Sequence, residues 1–212
     1  GGGGREHAIV KKIAENPRVE TIYALPGNGG MKEQAVCVPI GAKEIETIRD
    51  FALENKVDFT VVAPDDPLVM GAVDLLTEAG IPCFGPSKAA AAIEGSKVFA
   101  KELMKKYGIP TGDYRVFDDG KKALAYVEEQ GTFPAVIKAD GLALGKGVLI
   151  CETLSEAKDA LHSIMVEKRF GESGNRVVVE EFLTGPEVSV LAFCDGKTLV
   201  PMVSSMDHKR AL

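Results

Sequence analysis

Hydrophobic positions in the first hundred residues alternate between a helical period and a strand-like one. Residues 4–16 place Ile9, Val10 and Ile13 on one helical face. Short apolar runs typical of buried strands lie at 19–26, 36–40, 58–64 and 81–87, and helical patterns lie at 43–55 and 67–80. Strands that alternate with helices pack as a parallel sheet. The pattern therefore predicts an α/β, Rossmann-like region.

The pattern changes after a long helix predicted over 87–108, which ends at Gly108. Predicted strands then follow at 111–118, 135–140, 147–152, 176–182 and 187–196, with helices at about 120–130 and 154–168. This order favours an α+β fold with antiparallel pairing. We divide the chain into an α/β domain at 1–95, a connecting helix at 96–110 and an α+β domain at 111–212. The last stretch, 198–212, is strand-like throughout, so the second domain is expected to be incomplete.

Composition and charge narrow the possible functions. The chain has 212 residues, of which 45% are hydrophobic and 26% charged, and its net charge is −6. Nonspecific nucleic-acid binding requires basic surface that displaces counterions from phosphates, so we expect no nucleic-acid partner. No run approaches the roughly 20 apolar residues of a membrane span, so no membrane partner is expected either.

The four cysteines do not form a metal or disulfide pattern. Cys37, Cys83, Cys151 and Cys194 are widely spaced within apolar runs, without a CxxC motif or a Cys/His cluster. We interpret them as reduced core residues of a cytoplasmic protein.

The chain opens on GGGGREHA, which has two interpretations. Four terminal glycines are typical of a linker. Glycines directly before a helix are also typical of a phosphate-binding turn, because helix N-termini present free N–H groups to anions. A dinucleotide fingerprint is excluded, since His7 and Glu6 stand where GxGxxG requires glycine.

The stretch 136–150, VIKADGLALGKGVLI, is the most informative motif. It predicts a strand carrying Lys138, a loop with three glycines and Lys146, and a second strand. Glycines allow backbone N–H groups to approach phosphate oxygens closely. It is not a Walker A loop, because a strand rather than a helix follows and no Ser or Thr comes after the lysine. A glycine-rich hairpin with surface lysines remains the alternative.

Two further segments are candidates for nucleotide binding because of their order along the chain. Lys97 and Lys101 lie four residues apart on the long helix, where lysines are usually solvated. The strand at 177–183 ends in Glu180-Glu181-Phe182-Leu183 and turns towards Glu187. Such a segment can present backbone groups to adenine and a carboxylate to ribose hydroxyls, although a solvated acidic hairpin has the same composition.

The combination of GREHA, LPGN, IEGSK, KADGLALGKGV, EEFLTGPE and DHKR resembles the phosphoribosylamine–glycine ligase family of the ATP-grasp superfamily. The resemblance extends over the whole chain. It implies ATP-dependent ligation of glycine to 5-phosphoribosylamine in purine biosynthesis, through a glycyl phosphate intermediate, with ATP and Mg²⁺ or Mn²⁺ as cofactors. The small-molecule partners would be glycine and 5-phosphoribosylamine.

The resemblance also implies which residues bind ATP. Lys97 and Lys138 would contact the phosphates, and Lys138 would act in catalysis. The loop with Gly141, Gly145, Lys146 and Gly147 would close over them. Glu180, Glu181 and the backbone of Phe182 and Leu183 would hold adenine, and Glu187 the ribose.

The substrate phosphate would lie at the glycine-rich start. The resemblance assigns Gly2, Gly3, Gly4, Arg5, Glu6 and Asn28 to it, and places Lys209 and Arg210 at the reaction centre. Asp65 is a weaker candidate, because the family often has Gly-Pro-Glu where this chain has Ala63-Pro64-Asp65, and Asp is one methylene shorter.

Two family features are absent from this sequence. The family has a hydrophobic strand before the glycine loop; it would be central in the first sheet, so its absence should leave a gap there. The metal ligands are expected beyond residue 212, so no metal ligand is assigned here. The 212-residue segment by itself is therefore expected to be inactive.

Three alternatives stay open on the residues alone. One is another ATP-grasp carboxylate–amine ligase or a carboxylase, since single motifs are shared among these enzymes. Another is a dinucleotide-dependent oxidoreductase, which the failed fingerprint disfavours. The last is a non-catalytic nucleotide-binding segment.

Overall fold

The computed structural model describes residues 1–143 and 146–206. Within this part, the chain forms one compact unit over Gly1–Glu181 and a second, smaller unit that begins at Phe182. No helix in these described ranges is long and apolar enough to cross a membrane.

The N-terminal region alternates short strands with helices. Its elements are α1 (Gly4–Ala14), β1 (Tyr23–Ala24), β2 (Val36–Cys37), α2 (Ile45–Glu54), β3 (Thr60–Val61), α3 (Asp65–Met70), α4 (Ala72–Glu78) and β4 (Cys83–Phe84). A 3₁₀ turn, Gly29–Glu33, lies between β1 and β2. β1 pairs with β2 and β3 pairs with β4, both in parallel. The predicted parallel α/β fold is confirmed.

The four parallel strands form two separate pairs rather than one sheet. A cavity of about 940 Å³ is lined by residues of both β1 and β3 and by apolar side chains of α1 and α2, including Ile9, Ile13, Ile48 and Phe51. Gly1 lines the same cavity. The gap expected between the central strands is therefore present.

Two predicted helices are each divided by one residue. Gly71 adopts a left-handed conformation with φ of 100° and separates α3 from α4. Ser96 is extended and separates α5 (Lys88–Gly95) from α6 (Lys97–Tyr107). Its side chain accepts a hydrogen bond from the N–H of Phe99, so it starts a new helix rather than continuing the old one. The helices predicted over 67–80 and 87–108 were therefore too long.

An antiparallel sheet forms the next part of the first unit. Its strands are β5 (Tyr114–Phe117), β6 (Ala135–Ala139), β7 (Val148–Cys151) and β8 (Val177–Glu181), in the spatial order β5-β8-β6-β7. Two helices lie between them in sequence, α7 (Gly120–Gln130) and α8 (Leu154–Leu161), and α8 continues as a π-helical turn to Val166. The predicted α+β fold is confirmed.

The two faces of this sheet have different neighbours. One face contributes Ile137, Ala139, Val177 and Val179 to a core that it shares with α7 and α8. Side chains alternate between faces along a strand, so Lys138 and Glu180 belong to the opposite face. The helices thus cover one side of the sheet, and the candidate phosphate-binding residues lie on the other.

The second unit contains a short hairpin of β9 (Ala192–Cys194) and β10 (Leu199–Pro201). Every residue of this hairpin is exposed. The interpretation of all four cysteines as core residues is therefore wrong for Cys194, which is exposed, and holds best for Cys151, which is 1% exposed. All four are free thiols.

Candidate functional site

Two lysines meet at the foot of the glycine loop. Lys97 opens α6, and its Nζ donates a hydrogen bond to the carbonyl oxygen of Gly141 at 2.6 Å. Burial lowers the pKa of the Lys97 amine; Asp140 and Glu94 oppose this shift, and repulsion by Lys138 adds to it. Lys138 lies on β6 three residues before Gly141, so both lysines flank the start of the loop. Two ammonium groups beside a glycine turn are suited to bind a polyphosphate.

Asp140 joins this loop to the start of α6. Its Oδ1 accepts hydrogen bonds from Ser96 Oγ at 2.9 Å and from the N–H of Val98 at 3.2 Å. Its Oδ2 accepts one from Arg176 Nη2 at 2.6 Å. One carboxylate thus fixes the end of β6 to the helix that carries Lys97, which sets where the two lysines lie relative to each other.

The loop itself is closely packed at both described ends. Gly141 has φ of 117°, and a Cβ there would lie 2.4 Å from Ser173 Oγ. Gly147 is buried, and a Cβ there would lie 2.7 Å from the Cβ of Ala143. Lys146 is exposed. Glycine is required at both positions, and the predicted Gly145 lies outside the described residues.

Glu180 lies on β8 with its carboxylate between two lysines. Its Oε1 accepts from Lys101 Nζ, and its Oε2 lies 2.5 Å from Lys138 Nζ. This second contact lacks the direction of a hydrogen bond, so it is an ion pair only. The structure therefore brings Lys97, Lys138, Gly141 and Glu180 of the predicted ATP set together in one region.

The remaining adenine and ribose candidates are less tightly placed. Glu181 is exposed, on the opposite face of β8 from Glu180, and its N–H donates to the carbonyl of Asp113 at 3.0 Å. Phe182, Leu183 and Glu187 belong to the second unit and are exposed. Adenine and ribose binding by this segment stays a prediction.

The glycine-rich start forms a turn that caps α1. Gly3 is the N-cap, and its N–H donates to Glu6 Oε2 at 2.7 Å. Asn28 Nδ2 donates to the carbonyl of Gly2 at 3.0 Å, and a Cβ on Gly2 would lie 2.7 Å from the Gly27 oxygen. The residues around Gly2 and the turn at Asn28 are thus in direct contact, as a shared substrate site requires.

The first turn of α1 offers backbone donors to an anion. The N–H groups of Gly4 and Arg5 have no acceptor within the helix and none elsewhere among residues 1–143 and 146–206. Asp65 opens α3 directly after Pro64, and a Cβ on Gly1 would lie 2.7 Å from the Pro64 ring. The structure thus places this segment beside the glycine turn.

Other predicted site residues cannot be placed. Lys209 and Arg210 lie outside the described residues. In the described part of the chain, no group of three or more His, Cys, Asp or Glu side chains could hold a metal ion. The described residues thus offer no such cluster for the Mg²⁺ that the ATP-grasp resemblance implies.

Sequence reasoning missed three residues of this region. It did not single out Ser96, Asp140 or Arg176, and it treated Lys101 as one of two lysines on a helix face. One signal was available for Lys101: it follows the buried Val98 by three positions, which places both side chains on the same face of α6. No local pattern pairs Asp140 with residues 36 and 44 positions away.

Comparisons with known proteins match the whole chain. Residues 1–94 match the family model "Phosphoribosylglycinamide synthetase, N domain", and residues 95–212 match "Phosphoribosylglycinamide synthetase, ATP-grasp (A) domain". The phosphoribosylamine–glycine ligase of Caldanaerobacter subterraneus is 52% identical over 99% of the chain and 50% of that protein. The ligase of the same name from Pseudomonas syringae is 50% identical over 99% of the chain and 49% of that protein.

Solved structures agree with these matches. The crystal structure of phosphoribosylamine–glycine ligase from Thermotoga maritima superimposes with a TM-score of 0.80 at 33% identity, covering 99% of this chain and 49% of that one. The N5-carboxyaminoimidazole synthase of Aspergillus clavatus, at 18% identity and a TM-score of 0.73, shares the fold over 99% of this chain and 53% of its own.

The chain spans about half the length of the curated relatives it matches. Within that half, both family models and the relatives cover essentially every residue. This chain belongs to the phosphoribosylglycinamide synthetase family.

Proposed function

We propose that this chain contributes ATP-phosphate and sugar-phosphate binding to an enzyme that ligates glycine to 5-phosphoribosylamine, a step of purine biosynthesis. The observation that carries the proposal is that two lysines flank the start of the glycine loop: Lys97, through its hydrogen bond to Gly141, and Lys138, three residues before Gly141 on β6. Family membership supports the choice of reaction.

The proposed reaction has two steps, neither of which needs a nucleophile from the protein. A glycine carboxylate oxygen attacks the γ-phosphorus of ATP, the bond to the β-phosphate oxygen breaks, and ADP leaves. The amine of 5-phosphoribosylamine then attacks the carbonyl carbon of glycyl phosphate. Phosphate leaves, the nitrogen loses a proton, and the products are glycinamide ribonucleotide, ADP and phosphate.

The residues of this chain act by positioning and by charge. Lys97 and Lys138 neutralise charge that develops on the phosphates in the transition state, which is the main protein contribution to phosphoryl transfer. The loop from Gly141 to Gly147 excludes water from the acyl phosphate when it closes. The N–H groups of Gly4 and Arg5 bind the 5-phosphate at the start of α1. Mg²⁺ or Mn²⁺, held by other donors, would neutralise further phosphate charge.

The proposal is tested by substrate-dependent ADP release from the longest protein that the gene encodes. We expect release to require both glycine and 5-phosphoribosylamine, and the Lys138→Ala variant to lower kcat by about 100-fold or more. The matched control is Lys122→Ala, an exposed lysine of α7, which should leave kcat unchanged.

Other results would point elsewhere. ADP release that depends on bicarbonate instead of glycine would assign the protein to an ATP-grasp carboxylase. ATP binding without ADP release, whichever substrates are present, would indicate a nucleotide-binding protein and not a ligase. An unchanged kcat in Lys138→Ala would remove that lysine from the mechanism.

A further inference from the structure

Lys101 is a buried lysine that the proposed reaction does not use. Lys101 is 6% exposed. Its Nζ donates to Thr111 Oγ1 at 2.7 Å, to the carbonyl of Gly112 at 3.3 Å and to Glu180 Oε1, and it lies 5.4 Å from the centre of the Tyr114 ring. An ammonium has three N–H donors, and all three are used here. Lys101 therefore has no donor left for a ligand.

Glu180 transmits the effect of this lysine to the candidate phosphate site. Its side chain is 8% exposed, and its two oxygens face different lysines, Lys101 and Lys138. The strand register pairs Lys138 with Val178 and Val136 with Glu180, so Lys138 and Glu180 are diagonal neighbours on one face of the sheet. The Lys138 side chain keeps 26% of its surface exposed, whereas that of Lys101 keeps 7%.

The charges of the three groups explain why two lysines are needed. Two ammonium groups and one carboxylate leave one net positive charge, and only Lys138 can present it to a ligand. Without Lys101, the Glu180 carboxylate would be paired by Lys138 alone. The pair would then be neutral, and a buried carboxylate oxygen would have lost its donor, which draws the Lys138 amine further towards it.

We infer that Lys101 is a positioning residue that balances the charge of Glu180, so that the positive charge of Lys138 stays uncompensated and accessible to the nucleotide triphosphate. Lys101 does this without touching the nucleotide. The inference rests on the proposed function, because it takes Lys138 as a phosphate ligand. It differs from a structural role in one respect: it predicts a loss that is specific for phosphate.

The test compares the binding of ATP and adenosine in the longest protein that the gene encodes, with calorimetry as the readout. The ratio of the adenosine Kd to the ATP Kd reports the phosphate contribution alone, since losses in the adenine site cancel. We expect Lys101→Met to lower this ratio at least about tenfold, the scale of one charge in a partly buried site. Lys105→Met, an exposed lysine on the same helix, should leave the ratio unchanged.

A double variant guards against misfolding. Lys101→Met together with Glu180→Gln removes one positive and one negative charge, so the net charge at Lys138 returns and the buried carboxylate is gone. We expect the double variant to regain most of the wild-type ratio and of the thermal midpoint. If Lys101→Met does not fold, the ratio of the adenosine Kd to the ATP Kd in the double variant is the test of the inference.

The outcomes separate the inference from the proposed function. Wild-type protein that does not prefer ATP over adenosine would overturn the proposed function. A wild-type preference that Lys101→Met leaves intact would overturn the inference alone, and so would an equal loss of ATP and adenosine affinity. A folded double variant that fails to regain the ratio would also overturn it.

Discussion

Removal of the Asp140 carboxylate should lower the free energy of unfolding of the first unit, and the hydrogen bonds of this carboxylate give the magnitude. The side chain is 10% exposed and accepts hydrogen bonds from Ser96, Val98 and Arg176. Bonds to a charged acceptor contribute about 1.5 kcal/mol or more each when buried, and the half-exposed Arg176 pair contributes less than about 1 kcal/mol. Asp140→Ala should therefore lower the free energy of unfolding by about 3 kcal/mol.

A conservative variant divides this figure between the two oxygens. Asp140→Asn keeps an acceptor for Ser96 and Val98 and replaces the oxygen that faces Arg176 with an amide nitrogen. It should cost about 1.5 kcal/mol, because the partly exposed ion pair is lost and the two remaining bonds go to a neutral acceptor. Urea denaturation of the 212-residue protein measures both variants. Asp50→Ala, which removes an exposed ion pair with Arg49, serves as the control and should cost less than about 0.5 kcal/mol.

Two results would refute the reasoning about Asp140. An Asn variant as unstable as the Ala variant would mean that the hydrogen bonds to the start of α6 contribute little. An Ala variant within about 1 kcal/mol of wild type would mean that the carboxylate does not join the loop to the helix.

Three further predictions follow from single residues. Gly174→Ala would place a methyl group 2.2 Å from the carbonyl oxygen of Ile164, so the variant should be insoluble or melt far below wild type; Gly120→Ala, whose Cβ has ordinary contacts, should melt at or above the wild-type temperature. Hydrogen bonds from the backbone N–H groups at the start of α7 lower the pKa of Asp119, so the stabilisation that this carboxylate gives is present at neutral pH and is lost as pH falls through the lowered pKa. The thermal midpoint of Asp119→Ala should therefore approach that of wild type in acid. A difference between the two midpoints that stays the same at every pH would contradict this. Burial lowers the pKa of Lys97 from its ordinary 10.5, so this amine should lose its proton, and ATP affinity should fall, at a lower pH than with an ordinary lysine. In calorimetric titrations, Lys97→Gln should remove this fall in affinity at high pH.

The sequence predicted the fold well where its signals were local. The helix over 120–130 was predicted at its observed bounds, because Asp119 caps its start and Gly131 ends it in a left-handed conformation. The helix over 87–108 was not: the local signal Gly95-Ser96, where one helix ends and Ser96 caps the next, was passed over, and the bond from Ser96 to Asp140 spans 44 residues. Local propensity cannot report a partner at that distance.

In the candidate site, too, local patterns could be identified from the sequence and contacts between distant residues could not. Glycine loops and strand lysines are local patterns, so Lys138 and Gly141 could be identified from the sequence alone. The partners of Glu180 could not, because they lie on α6 and β6, 79 and 42 positions away. The family resemblance assigned this glutamate to adenine, whereas its described contacts are with two lysines. Both assignments can hold only if the backbone at the end of β8 serves adenine while the carboxylate serves the lysines. Glu180→Gln decides between them: a change confined to ATP affinity would assign the side chain to the lysines, and an equal loss for ATP and adenosine would assign it to the base.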